Sequence, residues 1–377
     1  MDEIKITILG DVCPTDDWRS KFDDGSVMKD VATLLRDSDL SIANLECPAT
    51  DGNVPAKKCG PCLKAKPADV AVLKNAGVSL LSLGNNHIKD YTAEGVLDTI
   101  QCCEDLSLPY VGAGETIEKA NSARIFSVKN RRIAVLAFAE KEFNGASKTE
   151  AGANLFDVFS SPEYISQVKK QCDILIVLYH GGIEHYRYPS PDLQKKCRLM
   201  IRSGADAVLC QHSHCIGTYE AYENGYILYG QGNGVYGFRK SQPAWNEGLL
   251  LTLTLTNNRL TVDYTLLKAT QTGLMIASKE KLTDRMEQFE RESARLKDEN
   301  FIRESWREFC NKRKSLDLPL LLGKSRAFIK LNRLLGNRLV TWLVGRYSLL
   351  ISMNLLRCDA WHEVLITQLE DEVYNGK

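Results

Sequence analysis

The feature that most limits what this chain can become is a short apolar run that recurs along it, ending each time in a polar residue with chemistry to offer. Residues 4–9 run into Gly10-Asp11, residues 40–45 into Glu46, and residues 78–83 into Gly84-Asn85-Asn86-His87. Further on, residues 133–139 precede Glu140, 173–179 precede His180-Gly181-Gly182, 205–210 precede Gln211-His212-Ser213-His214, and 227–229 precede Gly230-Gln231-Gly232-Asn233. Runs this short, bounded by turn formers, read as buried strands. Helix-like segments lie between them at 67–76, 93–105, 161–171 and 191–203, with Gly77 and Gly204 placed as C-terminal stops. Strands alternating with helices imply an α/β fold whose strands are mainly parallel. In such sheets ligands gather outside the carboxyl ends of the strands, where these polar residues fall. Residues 249–256 and 259–267, separated by Asn257-Asn258, read as a hairpin that adds a second sheet.

Composition narrows the class further. The 377 residues carry 48 Lys and Arg against 48 Asp and Glu, so no global field steers the chain toward a polyanion, and no nucleic acid is expected as a partner. The 44% hydrophobic content is that of an ordinary globular protein. Residues 4–9 alternate apolar and polar positions after a start that is not basic, which predicts a strand and not a signal peptide. No uninterrupted apolar run reaches the ~18 residues of a membrane span; 339–356 carries Arg346 and Asn354. A cytoplasmic location, with the 12 cysteines as reduced thiols, follows as the expectation.

Composition also shifts along the chain and predicts a main domain at 1–275 and a helical extension at 276–377. Residues 279–314 are densely charged, with Leu282, Met286, Phe289 and Leu296 at helical spacing. Residues 318–358 hold seven basic residues (Lys324, Arg326, Lys330, Arg333, Arg338, Arg346, Arg357), no acid, and many Leu, Ile, Trp and Phe. They read as basic amphipathic helices whose polar faces are solvated, or which dock on an anionic membrane surface.

Four of the six histidines (His87, His180, His212, His214) fall at strand ends, in company with Asp11, Glu46 and the Asn85-Asn86 pair. Carboxylate, amide oxygen and imidazole together form a mixed O/N donor set for Mn, Fe, Zn or Mg. His212 and His214 have extended spacing, which points both rings the same way. Asp206 and Asn233 read as turn-shaping residues. Cys59-Gly60-Pro61-Cys62 has thioredoxin-like spacing, but no strand precedes it, so it reads as structural. His185 is placed to line a cleft, and His362 has no partner motif.

Gly10-Asp11, Asn44-Leu45-Glu46, Gly84-Asn85-Asn86-His87, His180-Gly181-Gly182-Ile183-Glu184, Gly204-Ala205-Asp206 with His212-Ser213-His214, and Gly232-Asn233 occur in this order over residues 4–272. In that order they resemble the CapA family of capsule and poly-γ-glutamate biosynthesis proteins, a branch of the calcineurin-like metallophosphoesterase superfamily. The resemblance implies a β-sandwich flanked by helices and two divalent metal ions. Asp11 and His214 would hold the first metal, Asn86, His180 and His212 the second, and Glu46 would bridge them. His87 would face the substrate. The residues themselves permit His87 to give a proton to the leaving oxygen, with Asp90 or Glu184 orienting an imidazole. Two departures are visible: Cys13 stands where the superfamily's opening Asp-x-His has its His, and Glu46 is longer than the usual Asp.

The expected function is therefore a metal-dependent phosphoester or phosphoanhydride hydrolase acting on a phosphorylated or polyanionic substrate, in or near surface-polymer synthesis. The rivals are a catalytically idle metal-binding assembly factor of a capsule or polyglutamate synthase, and a metal-dependent amide hydrolase acting on polyglutamate. The C-terminal helices would make any peripheral contact with the inner membrane or the synthesis machinery.

Overall fold

A computed structural model of the chain describes residues 3–257 and 259–375, so Asn258 of the expected hairpin turn lies outside the described residues. The strands are β1 (Ile4–Val12), β2 (Leu40–Leu45), β3 (Leu80–Ser82), β4 (Tyr110–Val111), β5 (Ala113–Gly114), β6 (Arg124–Val128), β7 (Arg131–Ala139) and β8 (Gly152–Ala153). They continue with β9 (Ile174–His180), β10 (Ala207–Gln211), β11 (Tyr219–Tyr222), β12 (Gly225–Leu228), β13 (Asn233–Val235), β14 (Glu247–Thr256), β15 (Arg259–Thr270) and β16 (Gly273–Ile276). The helices of the first part are α1 (Arg19–Asp23), α2 (Lys29–Arg36), α3 (Pro67–Ala76), α4 (Thr92–Asp105), α5 (Ile117–Ala120), α6 (Ser161–Lys169) and α7 (Pro191–Arg202), followed by α8 (Lys279–Ala294). Pro at the first turn of α3 and α7, and Gly77 in the left-handed region at the end of α3, mark boundaries where the sequence places them.

Two sheets form the body. The first runs β16-β15-β14-β1-β2-β3-β4, with β13 also paired to β1; the second runs β11-β12-β10-β9-β7-β6. β1, β2, β3 and β4 run parallel to one another, as do β7, β9, β10 and β12. The hairpin β14-β15 corrects one expectation: it extends the first sheet, pairing antiparallel with β1 from Ile4 opposite Leu255 to Ile8 opposite Leu251, and builds no second sheet. Alternation within a hairpin shows which face is apolar but not which strand it will join. The second sheet comes from residues 124–228 instead.

Alternate residues sort into layers because successive side chains point to opposite faces. Between the sheets, Ile4, Ile6, Ile8, Ile42 and Leu251 of the first meet Val135, Ile176, Leu178 and Leu209 of the second. Leu9, Ala43, Leu45 and Leu81 face the other way and pack on Phe22, Leu35, Leu73 and Ile100 of α1 to α4. Ala134, Leu136, Phe138 and Val177 pack on Ile165, Val168, Leu193 and Met200 of α6 and α7. The result is the helix-flanked α/β sandwich that the resemblance implies.

The chain divides into compact units at Met1–Arg303 and Glu304–Lys377. The expected boundary at 275/276 falls ahead of α8, which the first unit includes, because Phe289 is fully buried in the inter-sheet core and stacks on Tyr219. The division falls within α9 (Glu299–Leu321), and α10 (Arg326–Leu334), α11 (Leu339–Arg357) and α12 (Asp359–Glu370) follow.

Candidate metal centre

Sheet register brings the polar strand ends together. Asp11, near the end of β1, lies opposite Asn44 of β2 and Asn233 of β13, and the register shifts between Leu9 and Asp11. A bulge there re-aims the Asp11 carboxylate. His180 closes β9 and pairs with Gln211 of β10, one residue ahead of His212. Glu46 follows β2, and Asn85, Asn86 and His87 follow β3. Asp11, Glu46, His180, His212 and His214 are all buried.

The rings of His212 and His214 do not converge by extended alternation. Both residues are left-handed, at φ 85° and 50°, in the turn after β10, and their ring centroids stand 6.0 Å apart. Left-handed backbone at non-glycine residues is costly and persists where tertiary packing demands it. The His212 backbone N–H donates to Asp11 Oδ2 at 3.0 Å, and His214 Nδ1–H donates to Asn233 Oδ1 at 2.9 Å.

Two groups of donor atoms result, each with all its atoms within 4.8 Å of one another: Asp11, Glu46 and His214 in one, Glu46, His180 and His212 in the other. Glu46 belongs to both. Its Oε1 lies 3.2 Å from His180 Nε2 and 3.7 Å from His214 Nε2. Asn86 Oδ1 lies 3.1 Å from His180 Nε2, against a member of the second group. Asn44 Nδ2 donates to Asp11 Oδ1 at 2.8 Å and lies 3.2 Å from His180 Nδ1.

Burial dominates the electrostatics of this cluster. Burial pushes the Asp11 carboxyl up to about 7, against hydrogen bonds from Asn44 and His212 that pull it down. Burial, with the Asp11 charge adding to it, raises Glu46 well above the usual carboxylate range. Burial likewise holds His180 and His214 well below, and His212 below, the ordinary imidazole value. Neither Glu46 oxygen nor His212 Nδ1 takes a hydrogen bond, although all are buried. A buried acceptor left bare costs free energy unless something fills its lone pairs. Carboxylate, amide and neutral imidazole donors around a shared carboxylate fit divalent ions, which would lower both carboxyl pKa values at once.

Residues 5–237, more than half of the chain, match the family described as bacterial capsule synthesis protein PGA_cap. The chain belongs to that family. Within it, the chain is 29% identical over 247 residues to the capsule biosynthesis protein CapA of Bacillus anthracis, covering 62% of this chain and 60% of that one. It is 30% identical over 215 residues to the PGA biosynthesis protein CapA of Bacillus subtilis, covering 56% and 57%. The chain thus spans less than two thirds of the length of these relatives. Among solved structures, a 5'-nucleotidase precursor from Thermus thermophilus is similar at 12% identity, with a TM-score of 0.44 over 84% of this chain and 60% of that one.

In this PGA_cap chain a second polar network adjoins the metal-ligand groups. His87 Nδ1 is 2.6 Å from Asp90 Oδ2, and the same buried Asp90 forms a salt bridge with Lys58 and accepts the Leu63 N–H at 2.6 Å. Lys58 Nζ also lies 3.3 Å from His87 Nδ1 and 4.4 Å from the centre of the Phe143 ring. Burial raises the Glu142 carboxyl above its usual range, with His87, Lys58 and Asn86 pulling the other way. Glu184 is about half exposed and 3.7 Å from His185, whose ring stands 6.2 Å from Trp245. Trp245 in turn packs 4.4 Å from His214, and the Arg239 guanidinium lies over the Trp245 ring at 3.2 Å.

Four of these residues escape a reading of the sequence as candidates: Asn44, Lys58, Glu142 and Trp245. Asn44 carries a usable signal, since it precedes Glu46 by two positions and so shares its side of the strand. Lys58 has none, because it sits in an irregular loop tied to the site by long-range contacts, among them the Asp90 salt bridge, the Leu63 N–H to Asp90 bond and the Ala56 N–H to Asp90 O bond. Cys13 joins neither donor group among the described residues; it is buried, and burial holds the Cys47 thiol well above its usual pKa.

Proposed function

We propose that this chain is a two-metal hydrolase acting on a phosphorylated or polyanionic substrate in or near capsule or poly-γ-glutamate synthesis. The observation that supports it most is Glu46, shared by two donor groups with both carboxylate oxygens free of hydrogen bonds. In this reading Asp11, Glu46 and His214 hold one ion, and Glu46, Asn86, His180 and His212 hold the other, the ions being Mn, Zn or Fe, with Mg also compatible with the oxygen donors. Bound, such ions supply Lewis-acid activation of water and of a phosphoryl oxygen.

The chain's own residues do the rest. Asp90 orients the His87 ring through Nδ1, which leaves Nε2 as the atom able to hold a proton and give it to a leaving oxygen. Lys58 balances the buried Asp90 charge and keeps that carboxylate in place. Glu184 and His185 stand at the exposed side of the centre, where a substrate's flanking groups would pass.

A second reading, a metal-retaining but idle assembly factor, draws on one observation: Cys13 adds nothing to the first donor group, leaving it with three residues. Elemental analysis of the purified chain, with a phosphodiester turnover assay in Mn and in Zn, separates the readings. Two ions per chain with turnover is the expected result. Bound metal without turnover favours the idle factor, activity confined to glutamyl amides favours an amide hydrolase, and no bound metal overturns all three.

A further inference from the structure

We propose that the basic, apolar stretch of the second unit that forms α10 and α11 is a monotopic docking surface for anionic phospholipid membranes. Of 24 exposed large apolar side chains among the described residues, 12 lie between residues 320 and 356. Soluble surfaces scatter such residues singly, and concentration of this kind marks an interaction surface. α11 shows it most plainly: 12 of its 19 residues are apolar or aromatic, and Trp342, Leu343, Tyr347, Leu350 and Ile351 are exposed. A helix apolar around most of its circumference is stable only when something covers it.

Charge identifies what covers it. The interval 318–358 holds seven Lys and Arg and no acid, in a chain whose net charge is zero. A like-charged basic belt interleaved with Trp, Tyr and Leu suits the headgroup boundary of an anionic bilayer, where arginine stems lie along apolar surface and their heads reach phosphate. No helix among the described residues is long and apolar enough to cross a membrane. In α11 the reason is local: Gly345, at φ 74° and ψ 158°, breaks the helix next to Arg346. The two pieces can lie in the interface but neither can span it.

The test is co-sedimentation of the full chain with neutral phosphatidylcholine vesicles and with vesicles carrying phosphatidylglycerol. Expected is at least a tenfold preference for the anionic vesicles, lost when salt is raised from ~0.05 to ~0.5 M. Trp342→Ser with Leu350→Ser, and separately Arg338→Glu with Arg346→Glu, should each abolish sedimentation while metal content stays at the parent level. That readout keeps this inference independent of the proposed hydrolase activity. Equal binding to neutral vesicles, no binding to either, or a lipid-free dimer that Trp342→Ser dissolves would overturn it.

Discussion

At the residue scale, burial opposes the ordinary charge states of the groups proposed to hold metal, raising Asp11 and Glu46 and lowering His180, His212 and His214. Asp11→Ala and His212→Ala are each expected to lose bound metal, whereas His87→Ala keeps metal and loses turnover, as elemental analysis beside a turnover assay would read. Equal metal in all three variants would refute the ligand assignment. Asp11 also sets a pH signature in metal-free protein. Its unfolded value is 3.8 and its folded value about 7, so between them the native state keeps a proton that the unfolded chain has released. Rising pH therefore weakens the metal-free wild type through this group. An Asp11→Asn side chain does not titrate, so its stability relative to wild type should improve on the order of 4 kcal/mol from pH 4 to pH 7. Urea unfolding in chelator checks the sign; a flat difference would refute it. Lys58→Met leaves Asp90 buried without its cation and should cost about 3 kcal/mol in a thermal melt. It should also lower turnover about 10–100-fold with metal content unchanged, and Lys58→Arg should restore part of it.

At the element scale, the centre is assembled by strands that approach closer than side chains permit. A Cβ on Gly248 would sit 1.8 Å from Asn233 O, and one on Gly10 would sit 2.4 Å from Gly232 O. Both contacts press β13 onto its neighbours and thereby place Asn233, which accepts from His214. Gly248→Ala must push β13 away and is expected to cost about 2 kcal/mol or more. Metal affinity should fall with it, read by isothermal titration; unchanged affinity would mean that β13 does not hold His214 in place. Much of this scale was legible beforehand. α3 occupies 67–76 and β2 occupies 40–45, as their Pro, Gly and apolar signals predict. β4 and β16 were not anticipated, since short edge strands such as Tyr110–Val111 carry no alternation to read and owe their form to the neighbour they pair with.

At the scale of the whole molecule, the proposed metal ions would stabilise the fold that holds them. A ligand that binds only the native state at 100 times its dissociation constant adds about 2.7 kcal/mol. Mn or Zn should therefore raise the melting temperature by about 5–10 °C and a chelator should reverse it, while the His212→Ala protein should respond to neither. Local signals, namely apolar runs that end in a turn former and then a carboxylate or imidazole, already mark Asp11, Glu46, His87, His180, His212 and His214, because strand period and turn chemistry act over a few residues. They cannot say that Glu46 sits in two donor groups, that His212 and His214 turn inward by left-handed backbone, or that Lys58 reaches Asp90. Those facts arise where β1 meets partners as far away as Asn233 and Leu255, and long-range pairing is chosen by the fit of two whole sheets, not by any one segment's preferences.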